Sequence, residues 1–141
     1  MPTVLLVEDN LDDERLVRRT LEKNNVTNEI VVAITGQGAL DALTEMERLG
    51  QRPDLVILDV KLPDMSGLRV LRDLRANPRT ELVPVVVLTG NASPDDVASA
   101  YRLGANSVVL KPADFAEFSE ALLHLTIYWL LVNRSTDMVT V

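Results

Sequence analysis

The chain has 141 residues, 47% of them hydrophobic and 25% charged, which suits one globular domain with a full core and is short for two. A net charge of -7 argues against direct binding to nucleic acid or to an anionic membrane surface, because both partners require a basic patch. The absence of cysteine excludes disulfides, thiolate zinc sites and cysteine nucleophiles.

The sequence predicts neither export nor membrane insertion. Met1-Pro2 leads directly into an apolar run, with no basic stretch before a longer apolar region, so no signal peptide is predicted. The longest nearly uncharged stretch, residues 121–133, is too short to span a bilayer. We therefore expect a soluble, cytoplasmic protein.

Five short runs predict β-strands. Four of them are apolar at every position, which is typical of strands buried on both faces in a parallel sheet covered by helices. These four runs are 4–7, 55–58, 85–88 and 108–110, and the remaining predicted strand covers 28–33.

Each predicted strand is followed by a segment with helical spacing of apolar residues. The first helix follows Asn10 and the second ends at Gly50. The third begins after a cap at Ser66 and ends before Pro78.

The last two helices have the clearest start signals. Ser93 as cap, Pro94 in the first turn and the acidic pair behind it begin the fourth helix, which stops at Gly104. Asp114 opens the fifth. The apolar stripe predicted to face the sheet comprises Phe115, Phe118, Leu122, Leu125 and Trp129.

This alternation predicts one α/β domain, a doubly wound five-stranded parallel sheet with right-handed crossovers and helices on both faces. Parallel strands all point the same way, so their carboxyl ends lie along one edge, where the functional crevice is expected. The polar residues that follow the four apolar runs should therefore converge: Glu8, Asp9, Asp59, Thr89 and Lys111.

The three carboxylates of this set predict a metal site. Brought close together they repel each other, so some must be protonated or a cation must lie among them. Oxygen ligands without histidine or cysteine favour Mg²⁺. We expect Asp9 and Asp59 to bind the ion directly, Glu8 to bind through water, and the backbone carbonyl of Lys61 to complete the set.

The same edge can support phosphoryl transfer. A carboxylate flanked by Mg²⁺ and the ammonium of Lys111 can attack phosphorus, because both cations neutralise charge on the transferring oxygens. Thr89 can donate its hydroxyl to one of these oxygens. Alone, each residue has an ordinary explanation as a turn, cap or solvated side chain. Five of them on four strand ends favour a site.

Four segments in order resemble the receiver domains of bacterial response regulators: residues 4–10, 57–67, 88–90 and 110–112. The resemblance implies the strand order 2-1-3-4-5. It also implies that a sensor histidine kinase phosphorylates Asp59 with Mg²⁺ bound by Glu8, Asp9 and Asp59. Thr89 and Lys111 would then report the phosphate to the surface formed by the last two helices and the strand between them.

The resemblance covers nearly the whole chain, so we expect a receiver domain over 1–133 and a C-terminal tail over 134–141. No DNA-binding or enzymatic output module is expected, which leaves a stand-alone regulator or a phosphorelay intermediate or phosphate sink. Such a protein catalyses only its own phosphorylation and dephosphorylation. Residues 8–10, 101–106 and 125–130 are similar to the small receivers partnered with bacterial phytochromes, which implies a bacteriophytochrome as the kinase.

One position departs from the pattern of the family. Receivers commonly carry an aromatic residue three positions before the lysine, and this chain has Val108 there. Thr89 would therefore have to act through loop movement. Lys61 and Asn91, each two residues beyond a site residue, should flank the path of the hydrolytic water, so Lys61→Ala should change the rate of autodephosphorylation.

Two rival functions use the same residues. A phosphatase or phosphotransferase would need a second catalytic acid two residues beyond the nucleophile, where this chain has Lys61, and a substrate-binding cap. A degenerate receiver would bind partners without phosphorylation, which the complete residue set disfavours.

The last helix contains more apolar residues than one stripe requires. Leu123, Ile127, Leu130 and Leu131, with Tyr128 beside them, predict a second apolar patch. We expect a homodimer about a two-fold axis through this helix and the preceding helix and strand, with the tail reaching across. Charge introduced at Ile127 and Leu131 should then disrupt it. The alternative is that the tail folds back and covers the patch.

Overall fold

The computed structural model describes residues 3–24, 29–90 and 93–132, the last two by backbone alone. Strands and helices alternate through this part of the chain. The elements are β1 (Thr3–Val7), α1 (Leu11–Lys23), β2 (Glu29–Ala33), α2 (Gly36–Arg48), β3 (Leu55–Leu58), α3 (Gly67–Ala76), β4 (Val85–Thr89), α4 (Pro94–Arg102), β5 (Ser107–Leu110), α5 (Phe115–Ile127) and a π-helical turn (Tyr128–Val132).

The five strands form one parallel sheet in the order β2-β1-β3-β4-β5. Both the fold class and the strand order predicted from the sequence are confirmed. The predicted tail, residues 134–141, lies outside the described residues, as do Asn28 and Asn91.

Side chains of the central strands alternate between two cores, one on each face of the sheet. Leu5, Val56 and Val87 pack with apolar residues of α2, α3 and α4. Their neighbours Leu6 and Ile57 pack on the other face with α1 and α5. This period of two confirms that β1, β3 and β4 are buried on both faces.

The predicted helix caps are confirmed by their hydrogen bonds. The Ser66 hydroxyl accepts from the Leu68 N–H at 3.2 Å and begins α3. Ser93 and Asp96 form a reciprocal capping box at α4, and Asp114 accepts two N–H groups at the start of α5. None of the described helices is long and apolar enough to cross a lipid bilayer.

Two predictions of burial are wrong. The fourth apolar run, in β5, is only partly buried and its Leu110 is 59% exposed, because β5 is an edge strand with a neighbour on one side alone. Phe115 was predicted to face the sheet and is 62% exposed. The buried line of α5 instead runs through Phe118, Leu122 and Thr126, whose hydroxyl donates to the Leu122 carbonyl at 2.7 Å.

The second apolar patch predicted on the last helix is also largely covered. Leu123, Ile127 and Leu130 are half-buried and pack against the core on the α1 and α5 face. Tyr128 alone of the described members of this patch is among the exposed large apolar residues, at 49%. The apolar residues on both sides of the buried line of α5 therefore also contact the core.

Candidate functional site

The sheet itself positions the predicted site residues. The backbone N–H groups of Glu8 and Asp59 donate to the last carbonyls of β2 and β1, both at 3.0 Å, and the N–H of Lys111 donates to the last carbonyl of β4 at 2.8 Å. Each residue thus continues the hydrogen-bond ladder by one position beyond its strand. Their side chains leave the sheet at one edge, as the parallel strand direction predicts.

The ammonium of Lys111 is the centre of the site. Its Nζ donates to Glu8 Oε1, to Asp13 Oδ2 at 2.8 Å and to Asp59 Oδ2 at 3.1 Å. The side chains of Lys111, Glu8 and Asp59 are only 9%, 3% and 10% exposed. One buried cation therefore faces three carboxylates, and the site carries a surplus of negative charge.

The pKa values of Glu8 and Lys111 reflect both burial and the charges around them. Burial raises the pKa of Glu8 to about 7, although its hydrogen bond and ion pair with Lys111 act in the opposite direction. Burial by itself would lower the pKa of Lys111, but the carboxylates of Asp13, Glu8 and Asp59 outweigh it and raise that pKa. Lys111 is thus charged at neutral pH, next to the carboxyl groups of Glu8, Asp13 and Asp59.

The carboxylate cluster fits a hard divalent cation. Glu8, Asp9 and Asp59 each offer a carboxylate oxygen, and these oxygens lie within 4.8 Å of one another. An all-oxygen donor set with surplus negative charge suits Mg²⁺ or a similar ion better than zinc. The structure thus brings together the three predicted metal ligands. The role of the Lys61 carbonyl stays a prediction; its backbone N–H donates to Asp59 Oδ1 at 3.2 Å.

A cleft of about 530 Å³ opens above the cluster. Five of the predicted site residues line it: Asp9, Asp59, Lys61, Thr89 and Lys111. Thr89 is the last residue of β4 and is almost completely buried, at 1% exposure. Asn10, Asp13 and Gly90 also line the cleft, although the sequence did not indicate them. The Asp59 carboxylate therefore lies in the wall of a cleft that is open to solvent.

The loop after Asp59 is held at both ends. Asp64 accepts hydrogen bonds from the N–H groups of Gln37 and Gly36 at 2.9 and 2.8 Å, and these bonds lower the pKa of its carboxyl. The N–H of Gly67 donates to Val60 at 2.7 Å, and any Cβ at this glycine would collide with the carbonyl of Asp59. Asp59 therefore stands on a loop that both α2 and α3 restrain.

Two contacts at the edges of the site, made by Asp13 and Tyr101, were also not predicted from the sequence. Asp13 contacts Lys111 from the first turn of α1; the only signal was that this turn follows directly on Glu8 and Asp9. The Tyr101 hydroxyl accepts the outward N–H of Val108 at 3.1 Å. The position that lacks the aromatic side chain common in receivers is thus contacted by an aromatic residue of α4.

Sequence comparisons identify relatives along most of the chain. Residues 4–123 match the family described as "Response regulator receiver domain". "Probable methanogenesis regulatory protein FilR2" of Methanothrix harundinacea is 38% identical over 133 residues, which cover 94% of this chain and 86% of FilR2. "Response regulator Rcp1" of Synechocystis is 32% identical over 129 residues, which cover 90% of this chain and 88% of Rcp1.

Solved structures with the same fold include a phosphorylated response regulator, a metal-bound response regulator and a bacteriophytochrome response regulator. The phosphorylated cyanobacterial phytochrome response regulator RcpA matches with a TM-score of 0.89 and 30% identity, over 96% of this chain and 98% of RcpA. The Mn²⁺-bound form of Rcp1 matches with a TM-score of 0.86 and 30% identity, over 96% and 99% of the two chains. The bacteriophytochrome response regulator RtBRR matches with a TM-score of 0.74 and 35% identity, over 98% and 86%. From its site and these similarities, the chain belongs to the response regulator receiver family of two-component signalling and is related to phytochrome response regulators.

Proposed function

We propose that this chain accepts a phosphoryl group on Asp59 from a sensor histidine kinase, with Mg²⁺ as its metal. The observation that carries the proposal is the position of Asp59 Oδ2, 3.1 Å from Lys111 Nζ, at an accessible cleft beside a carboxylate cluster. RcpA has been crystallised in a phosphorylated form and Rcp1 with Mn²⁺, which supports this chemistry for a similar protein.

The transfer requires one bond to form and one to break. The Asp59 carboxylate attacks the phosphorus of a phosphohistidine, an O–P bond forms, and the electron pair of the broken P–N bond returns to the imidazole. Lys111 holds its ammonium at the Asp59 oxygen, and Thr89 offers its hydroxyl to a transferring oxygen. Glu8, Asp9 and Asp59, with the Lys61 carbonyl, would hold the metal, which would supply further positive charge for these oxygens.

The direct test is incubation of the whole chain with a small phosphodonor and Mg²⁺, followed by intact-mass spectrometry. We expect one phosphoryl group per chain, dependent on Mg²⁺. Release of many equivalents of phosphate with no adduct would favour the phosphatase or phosphotransferase alternative. No reaction, with a folded protein, would favour a receiver that binds partners without phosphorylation.

We further propose a bacteriophytochrome as the kinase and the cytoplasm as the location. The similarity to RcpA and RtBRR supports a bacteriophytochrome as the kinase. The cytoplasm follows as the location because histidine kinases use the ATP of that compartment. Transfer from a purified phosphorylated bacteriophytochrome within seconds, against much slower transfer from an unrelated kinase, would support the pairing. Equal rates from both kinases would contradict it.

Removal of the Lys61 side chain should shorten the lifetime of the phosphorylated state. Lys61 is exposed and lines the cleft, where its ammonium can pair with the phosphoryl group and obstruct the attacking water. An exposed ion pair of up to about 1 kcal/mol corresponds to roughly a five-fold change in rate. We expect Lys61→Ala to accelerate phosphate release by up to this factor, measured by a phosphate-release assay. Lys23→Ala, an exposed lysine at the end of α1, is the control; equal decay in all three proteins would contradict the role.

We also propose a homodimer, with contact residues that differ in part from those predicted from the sequence. Apart from Phe115, which lines a pocket with Leu16 of α1, the exposed large apolar side chains near the last two helices are Tyr101 on α4, Leu110 on the edge strand β5 and Tyr128 after α5. Because the half-buried flank of α5 already packs on the core, these three, rather than Ile127, are the better contacts for a second copy.

We expect light scattering to show a dimer at tens of micromolar. Leu110→Arg and Tyr128→Arg should each shift it toward monomer, because a charge there would be desolvated in the interface. Leu82→Arg, at a residue 66% exposed in the segment between α3 and β4, is the control and should leave the dimer intact. A monomeric wild type, or a dimer unaffected by both substitutions, would contradict the proposal.

A further inference from the structure

The three carboxylates that surround Lys111 are not equivalent. Glu8 and Asp59 belong, with Asp9, to the group of oxygens that can hold a divalent cation. Asp13 is outside this group within the described residues, yet its Oδ2 lies only 2.8 Å from Lys111 Nζ. An ammonium has three N–H groups, and here each has one carboxylate partner. A cation at the cluster would compete for two of these partners and leave Asp13 to the lysine.

The fold holds Asp13 in this place. Its backbone N–H donates to the Asn10 side chain at 3.0 Å in the first turn of α1, which fixes the start of the helix. Farther along, Thr20 and Ser119 share a hydrogen bond of 2.9 Å that ties α1 to α5. The Asp13 side chain is 19% exposed, so most of its surface is removed from water. Asp13 is therefore a preformed partner for Lys111 on an element that carries no metal ligand.

We propose that Asp13 is a positioning residue for Lys111: it retains the ammonium beside Asp59 while a divalent cation occupies Glu8, Asp9 and Asp59. This inference rests on the proposed function, because that function supplies the cation. It adds to the phosphoacceptor site a residue whose carboxylate binds the lysine and lies outside the group of three metal-ligand carboxylates.

The role has a consequence for cation binding. Without the Asp13 carboxylate, the remaining charged partners of Lys111 are Glu8 and Asp59, the same groups that the cation needs. The ammonium then settles on them and must be displaced by the cation. Loss of Asp13 therefore weakens Mg²⁺ binding through Lys111, in addition to any general effect of one lost negative charge.

The test is a calorimetric titration of the whole unphosphorylated chain with MgCl₂. Coupling energies between contacting charged residues predict that Asp13→Asn raises the Mg²⁺ dissociation constant roughly three- to ten-fold. Asp12→Asn is the matched control, since it removes the same charge from the same helical turn at an exposed residue. We expect it to change the constant less than about two-fold. Asp13→Glu, which retains the charge, should restore part of the affinity.

A second experiment tests whether Asp13 affects Mg²⁺ binding through Lys111. In a Lys111→Gln background, Asp13→Asn should change Mg²⁺ affinity no more than Asp12→Asn does. In the metal-free protein, Asp13→Asn should also shift the NMR signals of the Lys111 ε-methylene group, whereas Asp12→Asn should not. These results would support the role and a purely structural defect would not produce them.

Three results would overturn the inference. They are equal effects of Asp12→Asn and Asp13→Asn, an undiminished effect of Asp13→Asn in the Lys111→Gln background, and a wild-type chain that binds no Mg²⁺. A chain that binds Mg²⁺ with the expected pattern but takes no phosphoryl group from a phosphodonor would overturn the proposed function alone. The two failures are therefore distinguishable.

Discussion

Asp59→Asn should abolish the phosphoryl adduct. The amide is not a nucleophile toward phosphorus at neutral pH. Among the described carboxylates, Asp59 is the one that lines the cleft, belongs to the carboxylate cluster and contacts Lys111. We expect the yield to fall from near one phosphoryl group per chain to background in intact-mass spectra taken with a small phosphodonor and Mg²⁺. Addition of EDTA to the wild-type reaction should likewise reduce the yield of phosphoryl adduct to about background.

The substitution should leave the fold intact, because it removes one of several carboxylates that crowd a single ammonium. Thermal unfolding of the variant checks this. Asp12→Asn is again a suitable control, since it alters an exposed carboxylate on the neighbouring turn and should retain the full yield. An adduct on Asp59→Asn at undiminished yield would rule out Asp59 as the acceptor.

Lys111→Met should destabilise the metal-free protein more than any other single substitution in the site. It leaves Glu8, Asp13 and Asp59 without the cation that all three contact, and two of these side chains are no more than 10% exposed. Loss of one partner of a buried ion pair costs about 3 kcal/mol or more, and protonation of Glu8 offsets part of this. We expect the free energy of unfolding in urea to fall by about 2–4 kcal/mol at neutral pH.

Excess Mg²⁺ should reduce the difference in the free energy of unfolding between wild type and Lys111→Met. A cation that binds only the folded state adds more free energy of unfolding the more tightly it binds, and the variant has no ammonium to compete for the ligands. Urea titrations of wild type and Lys111→Met in EDTA and in excess Mg²⁺ would measure both effects. Lys23→Met, at an exposed lysine, should unfold like the wild type. The explanation fails if Lys111→Met is as stable as wild type in EDTA, or if Mg²⁺ leaves the difference unchanged.

The convergence of the site residues could be predicted because it depends on strand direction alone. Glu8, Asp59, Thr89 and Lys111 each end or follow a strand, and the backbone N–H of three of them is still part of the ladder. Once the strands are parallel, residues at this position share one edge whatever the details of packing. The helix caps at Ser66, Ser93 and Asp114 were readable for a similar reason, since a cap is a contact between residues two or three positions apart.

The role of Asp13 was not readable because three acidic residues occupy the first turn of α1. Which of them reaches Lys111 depends on the rotation and tilt of the helix on the sheet. The exposure of Phe115 and the burial of Thr126 have the same origin, because small rotations of α5 exchange the residues at the margins of its apolar stripe.

Local signals in the chain were sufficient for the alternation of strands and helices, their approximate ends, and the set of carboxylates, hydroxyl and ammonium at one edge of the sheet. These follow from periodicity and from contacts between near neighbours, which the order of residues specifies directly. The packing of α1 and α5 on the sheet, in contrast, set the third partner of Lys111 and the surfaces left exposed beside β5. Those features are distances between residues about a hundred positions apart, and such distances are determined by how whole helices rest on the sheet.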